Sequence, residues 1–278
     1  MSELEEYKTE AVKKLCDKYE WLRERTKSLF ELLGECKNTE EVDLVTELLE
    51  RFKMIEEPER YLGYTGMAEY IASNFVVDKT LIVAMTKGHD PDSGQKVLQD
   101  LKTFLIEKDI RTKNFQNYFG FSPKINNTYE KIIVVDEFLG SGKTVRNRVK
   151  DMKTLDNIEE IHFCLLAGVE SSIRKLEMEL PERVKIYCHY QIKKGIWDFN
   201  TIIERFRKTR LMIDMEGRLS QKIGTRDLAC YRFGYGNAQS LMSFGRYNIP
   251  NSVFPIFWWP NHDFKRHTIF NRDEDGFV

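Results

Sequence analysis

The segment from Lys131 to Thr144 brings acidic, hydroxyl and glycine residues together directly after one apolar run. It reads Lys-Ile-Ile-Val-Val-Asp-Glu-Phe-Leu-Gly-Ser-Gly-Lys-Thr. Its apolar first part is typical of a strand buried on both faces, and two adjacent carboxylates, Asp136 and Glu137, follow directly. A loop of small residues comes next, and helical spacing begins after it. The pattern places two acids and a flexible loop at the end of one buried strand.

The loop itself has the features of an anion-binding turn. Gly140 and Gly142 allow the backbone to approach a ligand closely. The amides of Ser141 to Thr144 converge at the start of a helix, and the hydroxyls of Ser141 and Thr144 add donors. These groups suit a phosphate.

Two kinds of phosphate loop fit such a segment, and the residues before it distinguish them. A Walker A loop has a glycine five residues before its Gly-Lys-Thr, but this chain has Glu137 there. Carboxylates beside the loop instead suit a ligand with hydroxyls next to its phosphate, because they accept hydrogen bonds from the ribose 2′- and 3′-OH. A nucleoside triphosphatase is therefore the weaker interpretation, and ribose 5-phosphate fits better. A glycine-rich turn with merely solvated acids is the non-functional alternative.

The same residues resemble a known signature. Ile132 to Thr144 is similar to the 5-phosphoribosyl 1-pyrophosphate motif of type I phosphoribosyltransferases, with four apolar residues, two acids, two apolar residues and a phosphate loop. The resemblance implies that Asp136 and Glu137 hold the ribose hydroxyls. It also implies that the 5′-phosphate is bound by the following loop residues, which are Leu139, Gly140, Ser141, Gly142, Lys143 and Thr144. With its helical N-terminus and aromatic C-terminal segment, the chain further resembles the PRTase-CE subgroup, phosphoribosyltransferase-like proteins predicted as effectors in bacterial conflict systems.

The resemblance also assigns the loop after an earlier apolar run, from Thr86 to Gly94. This is the place where the family binds pyrophosphate, and Lys87 and Gly88 would supply charge and a closely approaching amide. Mg²⁺ on the diphosphate is implied too, with Asp136 and Glu137 contacting it through the ligand and Asp90 or Asp92 as further oxygen donors. The loop lacks the family's usual pattern of two glycines and several basic residues, so an ordinary turn is an equal alternative.

Base recognition is expected from a C-terminal hood. Lys194 and Trp197 follow the last predicted strand, where the resembled family places a lysine and an aromatic ring that stacks on the base. The alternative is that Trp197 packs in the core and the lysine is solvated. For Trp258 and Trp259, core packing is the favoured interpretation.

The elements that must position these residues form an α/β pattern. Short apolar runs alternate with amphipathic segments, and their order requires crossovers that give a parallel sheet. We therefore expect a parallel, doubly wound sheet of the phosphoribosyltransferase type, in which ligands lie beyond the carboxyl ends of the strands. The predicted strands are residues 81–85, 132–135, 161–167 and 184–190, and the predicted helices are residues 94–107, 143–153 and 170–179.

Both flanks of this core differ from it in composition. Apolar spacing predicts one long helix from Leu4 to Leu33, and Asn38 with Glu41 predicts a capping box that opens a second helix. Residues 1–60 contain 11 Lys or Arg against 17 Asp or Glu, whereas residues 193–232 contain 10 against 5. We expect a helical extension over residues 1–60, an α/β core over 61–192 and the hood over 193–278. The acidic helices are either a surface for a protein partner or a homo-oligomer, or a hairpin packed on its own domain.

Composition excludes several classes of protein. The formal net charge is −1, with 43 basic and 44 acidic residues, so nucleic acid is an unlikely partner. Spanning of a membrane is not expected, because no apolar run approaches the roughly 18 residues that it requires. The five cysteines are scattered and form no CxxC pair, which favours reduced thiols, and the acidic, polar N-terminus predicts a cytoplasmic protein.

Three hypotheses follow for function. The first is a Mg²⁺-dependent enzyme that transfers or releases the phosphoribosyl group of phosphoribosyl pyrophosphate or a nucleotide, as an effector in bacterial antiphage defence. The second is a non-catalytic module that senses a nucleotide and acts through a protein partner. The third, a P-loop triphosphatase, is disfavoured by Glu137.

Overall fold

The computed structural model describes residues 2–86, 93–110, 115–116, 128–152, 155–245, 249–260 and 266–270. Its helices are α1 (Glu3–Lys18), α2 (Glu20–Arg23), α3 (Thr26–Gly34), α4 (Thr39–Glu50), α5 (Glu57–Asn74), α6 (Ser93–Ile106), α7 (Lys143–Asp151), α8 (Glu170–Glu179) and α9 (Ile202–Gly217). Its strands are β1 (Lys53–Ile55), β2 (Thr80–Ala84), β3 (Phe115–Gln116), β4 (Lys131–Leu139), β5 (Glu160–Val169), β6 (Val184–Ile192), β7 (Lys222–Ile223), β8 (Arg226–Asp227) and β9 (Met242–Phe244). They belong to two compact units, Glu56–Ile192 and a second that joins Met1–Ile55 to Lys193–Val278.

The unit Glu56–Ile192 is built on a five-stranded parallel sheet in the order β3-β2-β4-β5-β6. Alternate residues of its strands pack on helices of opposite faces. Phe163 of β5 belongs to the same apolar cluster as Val145 of α7 and Ile173 of α8. His162, on the other face of β5, lies against Tyr70 of α5. The predicted parallel, doubly wound α/β sheet is confirmed, because strands that are apolar throughout bury both faces.

The strand order places a topological switch between β2 and β4. From β2 the chain moves outward to β3, and it then returns across β2 to β4 and continues to β5 and β6. Val83 of β2 pairs with Val134 of β4, so the two strands end side by side. In open α/β sheets, the crevice outside the carboxyl ends at such a point is where ligands bind. The Asp136–Thr144 segment lies at this edge of the sheet.

The second unit contains both ends of the chain. β1 and β9 form a parallel pair in which Lys53 is opposite Met242. The apolar positions of α1, α3 and α4 are buried in one cluster with the C-terminal aromatic residues. Trp258 and Trp259 are 2% and 0% exposed and donate from their indole nitrogens to the carbonyls of Val253 and Ser220. The packing interpretation of these two tryptophans is therefore confirmed.

The expectation of one long N-terminal helix is wrong. The backbone at Tyr19 is extended (φ −124°, ψ 110°) and ends α1, and the chain continues as α2 and α3. A straight helix would carry its second half away from the core, whereas the break lets Leu15 of α1 and Leu29 of α3 become fully buried in one cluster.

The predicted start of α4 is confirmed, with one difference. The Asn38 side chain accepts from the Glu41 amide at 2.9 Å, but the Glu41 carboxylate accepts from Lys37 rather than from the backbone of Asn38. No helix within the described ranges has the length and apolar character needed to cross a bilayer.

Candidate functional site

The acidic pair lies within strand β4. The strand remains paired with β5 up to Leu139, which is opposite Gly168. Because successive side chains of a strand point to opposite faces, Asp136 and Glu137 have different surroundings. Both are partly buried.

The Glu137 carboxylate forms an ion pair with Arg60 of α5. Arg60 Nη2 donates to Glu137 Oε1 at 3.3 Å, and the two side chains are only 10% and 15% exposed. Burial raises the pKa of Glu137 above the ordinary value, and the charges of Arg60 and Lys96 oppose that rise, whereas Asp100 adds to it. Arg60 therefore supports the ionised form of a carboxylate that burial disfavours.

A second polar contact lies next to this ion pair. The Tyr64 hydroxyl of α5 donates to Asp100 Oδ2 of α6 at 3.1 Å. Burial, with the nearby Asp100 carboxylate, raises the pKa of Tyr64, so its phenol stays neutral and keeps its proton for this bond. The two helices and the end of β4 thus share a cluster of interacting polar groups, which consists of the buried Arg60 and Tyr64, the partly buried Asp100 and Glu137, and the exposed Lys96.

Asp136 is oriented by groups that the sequence analysis did not identify. Its Oδ1 accepts from the Glu137 amide at 2.8 Å and from the Ser93 hydroxyl at 3.2 Å. Ser93 is the first residue of α6, so a helix start lies beside this carboxylate. A negative charge is favourable at that position.

The phosphate-loop candidates have the predicted arrangement of strand, loop and helix. β4 ends at Leu139, Gly140 and Ser141 follow, and α7 begins at Lys143 with Thr144 in its first turn. Gly142 is the N-cap residue and has a left-handed backbone (φ 76°, ψ 4°). The left-handed backbone favours glycine, and a Cβ atom there would lie 2.7 Å from Leu176 Cδ1, so the leucine side chain would have to shift to admit it.

Two arginines of α7 form hydrogen bonds with backbone and side-chain groups around this loop. Arg146 donates to the Ser141 carbonyl at 3.0 Å and to Glu179 of α8 at 2.8 Å. Arg148 donates to the carbonyl of Thr86, just beyond the end of β2. α7 thereby connects the phosphate loop after β4 to the end of β2. Lys87 and Gly88, predicted to bind pyrophosphate, lie outside the described residues, as do Asp90 and Asp92.

The carboxylates of this site suit a magnesium ion that is bound to the phosphates of a substrate better than one coordinated by protein side chains alone. Among the described residues there is no group of three or more His, Cys, Asp or Glu side chains able to hold a metal. Mg²⁺ commonly takes one or two carboxylates together with phosphate oxygens of the substrate. Asp136 and Glu137 are the carboxylates of this segment that can supply such an oxygen, and Arg60 balances part of the charge at Glu137.

The candidates for base binding belong to the other unit. The Lys194 amide donates to Asp198 at 2.8 Å. Trp197 is 42% exposed, and Arg205 Cζ lies 5.9 Å from its ring centroid. The alternative that Trp197 packs in the core is therefore wrong.

Sheet topology and loop chemistry together define the class of this molecule, a phosphoribosyltransferase-like α/β protein. The model of the PRTase-CE family matches residues 40–272, and the chain belongs to that family.

Two solved structures show low overall likeness to this chain. One is a hypothetical protein from Neisseria gonorrhoeae with bound ppGpp, at 15% identity and a TM-score of 0.35, covering 56% of this chain and 95% of that one. The other is the Helicobacter pylori xanthine-guanine-hypoxanthine phosphoribosyltransferase, at 12% identity and a TM-score of 0.32, covering 50% and 92%. At these TM-scores neither likeness carries an argument about this chain. No curated protein matches it.

Proposed function

We propose that the chain binds 5-phosphoribosyl 1-pyrophosphate or a nucleotide at the carboxyl edge of β4, and that it transfers or releases the phosphoribosyl group. The observation that carries the proposal is the position of the Asp136–Thr144 segment. It places an acid pair, a glycine loop and a helix start at the topological switch of a parallel sheet. From its membership of the PRTase-CE family we further propose that the chain acts as an effector of bacterial antiphage defence, with the cytoplasm as its expected location.

In this proposal each part of the segment contacts one part of the ligand. Asp136, with its Oδ1 fixed by Ser93 and the Glu137 amide, accepts from one ribose hydroxyl, and Glu137 accepts from the other. Loop amides from Leu139 to Thr144 donate to the 5′-phosphate at the positive end of α7. Lys87 and Gly88 contact the pyrophosphate. The assignment of Lys194 and the exposed indole of Trp197 to nucleobase binding stays a prediction from the family resemblance.

Departure of pyrophosphate from C1 develops positive charge on the ribose ring. The chain needs no covalent nucleophile for this step, because the carboxylates near the ring offset that charge and the phosphate loop fixes the position of C1. Asp136 and Glu137 would hold Mg²⁺ through the ligand, and the bound ion would neutralise the leaving pyrophosphate.

The decisive experiment separates binding from turnover. Titration calorimetry with phosphoribosyl pyrophosphate and Mg²⁺ measures binding, and release of labelled pyrophosphate in the presence of nucleobases or water measures turnover. Binding that is lost in Asp136→Asn supports the site, and pyrophosphate release lost in the same variant supports the enzyme. Absence of binding by phosphoribosyl pyrophosphate and by common nucleotides contradicts the proposed function.

A non-catalytic sensor is the second candidate, and the Arg60–Glu137 ion pair favours it. A carboxylate that is engaged by a buried arginine is less available to compensate charge at C1. Ligand binding without pyrophosphate release would support this candidate. It further predicts a partner whose association depends on the ligand and is lost in Asp136→Asn.

A further inference from the structure

One face of helix α9 exposes apolar side chains to solvent. Ile202, Ile203, Phe206 and Ile213 are 69%, 82%, 70% and 41% exposed. The opposite face of the helix packs on its own unit, where Lys208, Met212, Met215 and Glu216 are buried. The N-terminal helices differ, because their apolar stripes are buried in the core of the unit. A concentrated exposed apolar face of this kind marks an interaction surface.

The spacing along this face is that of paired helices. Ile203, Phe206, Arg210, Ile213 and Gly217 follow one another at intervals of three, four, three and four residues. This is the alternation that keeps one seam facing a neighbouring helix. Arg210 is the one charged member of the seam, so an occupant must provide a group that accepts a guanidinium.

We propose that this seam, called the α9 stripe, pairs with the α9 stripe of a second copy in antiparallel orientation about a two-fold axis. In this antiparallel arrangement the residue numbers rise along one helix and fall along the other. Two residues therefore face each other when their numbers add to one fixed total. Ile203 meets the partner's Ile213, and Phe206 meets the partner's Arg210. The symmetry repeats both contacts, as an isologous interface requires.

The charges favour a second copy over other occupants. In this register the Arg210 guanidinium of each copy lies on the Phe206 ring of the other copy, which is a favourable cation–π contact. The flank of the stripe carries one charge of each sign, Arg207 and Asp214, but their numbers do not add to the total of the facing pairs, so these two charges are not opposite each other in this register. Arg207 donates to Glu40 of its own unit at 2.5 Å, so the flank contributes little to the pairing. Asp214 lies beside Arg207 and Arg210, so the exposed face is not the uniformly basic patch that an anionic lipid surface or an acidic peptide would favour.

The size of the stripe predicts a weak dimer. The three apolar side chains of the stripe and the neighbouring Ile202 bury on the order of 400 Å² per copy, about half of the ~800 Å² of a standard interface. Association should therefore depend on concentration, with a dissociation constant in the micromolar range or above.

The experiment is sedimentation equilibrium of the full chain across a concentration series, with and without substitutions that circular dichroism shows to be folded. We expect Phe206→Arg to weaken association at least about tenfold, because it places two guanidinium groups opposite each other. Adding Arg210→Phe to that variant should restore association, since it recreates the same contact with its members exchanged. Met178→Arg, at an 81% exposed apolar residue of α8, is the matched control and should associate like the wild type.

Several outcomes would overturn the inference. They are a wild type that is monomeric at every concentration, and a Phe206→Arg variant that still associates fully. Restoration by Asp214→Phe as well as by Arg210→Phe would reject the register. A monomeric wild type that binds phosphatidylserine vesicles through Phe206 would assign the face to a lipid surface. None of these measurements depends on ligand binding, so they are independent of the proposed function.

Discussion

Arg60 of α5 donates to Glu137 of β4 at 3.3 Å, across 77 residues of sequence. This ion pair connects helix α5, which precedes the sheet in sequence, to the acidic residues at the carboxyl edge of the sheet. A buried carboxylate remains a good acceptor of hydroxyl groups only while it is ionised, and the guanidinium favours that form. Arg60 is therefore a positioning residue for the candidate ribose site.

The first prediction concerns Arg60→Gln. Loss of the guanidinium lets burial raise the pKa of Glu137 further, so more of the carboxylate is protonated at neutral pH. Affinity for phosphoribosyl pyrophosphate should fall about tenfold, as for a lost hydrogen bond to a charged group. The pH at which affinity reaches half its maximum should move upward.

Calorimetry across a pH series measures both effects, and Arg60→Lys is the conservative control that should retain most of the wild-type pH profile. A uniform loss of affinity with an unchanged profile would show that Arg60 acts only through packing. In the background of Glu137→Gln, the Arg60 substitution should have little further effect on affinity.

The second prediction concerns Asp136→Asn. The amide oxygen can still accept from Ser93 and from the Glu137 amide, so the melting temperature should change little. The charge that strengthens hydrogen bonds from ribose hydroxyls is lost, and affinity should fall about tenfold or more. Ser93→Ala, which removes only the orienting bond, should have a smaller effect. Wild-type affinity in Asp136→Asn would contradict the assignment of the ribose site.

The third prediction concerns Gly142→Ala. The left-handed backbone and the 2.7 Å approach to Leu176 both oppose a methyl group, so we expect a destabilisation of about 1–3 kcal/mol. Distortion of the loop should also weaken phosphate binding. Gly217→Ala is the matched control, because nothing lies within 4 Å of a Cβ atom there and alanine favours a helix. Chemical denaturation of the two variants provides the comparison, and equal stability would contradict the strain at Gly142.

The sequence was sufficient for the sheet and the loop but not for their supporting charges. The apolar runs of β2, β4 and β5 can be predicted because burial on both faces leaves a continuous pattern, whereas the edge strand β6 is mostly half-buried. Arg60, Ser93 and Arg148 leave no such pattern, since a polar residue on a helix has the same local appearance whether it faces solvent or a carboxylate. Their roles depend on contacts between residues far apart in sequence.

The same limit applies to the ends of the chain. Composition predicted an acidic helical extension and a basic, aromatic C-terminal segment, but it gave no sign that both build one unit. The pairing of Lys53 with Met242 is set by a parallel two-stranded ladder, which has no local sequence signal. The break at Tyr19 was equally hidden, because the apolar spacing continues through it.

The last prediction is a pH dependence of stability caused by Glu216. This residue of α9 is fully buried, and both of its carboxylate oxygens accept from the Phe233 amide at 3.2 and 3.1 Å. Burial raises its pKa from 4.5 to about 8, against the effects of that backbone bond and of Arg232. The folded state thus binds the proton more tightly than the unfolded state does. The stabilisation is complete below about 4.5 and is lost as the pH rises through about 8.

The free energy of unfolding should therefore fall by several kcal/mol, on the order of 1.4 kcal/mol per pH unit, as the pH rises across this window. Glu216→Gln keeps an oxygen for the Phe233 amide and carries no titrating proton, so its stability should vary less over the same range. Urea denaturation at acidic, neutral and mildly alkaline pH measures the difference between the two proteins. If that difference is the same at every pH, Glu216 is ionised in the folded state, and the burial of its charge must be compensated by Arg232 and the Phe233 amide.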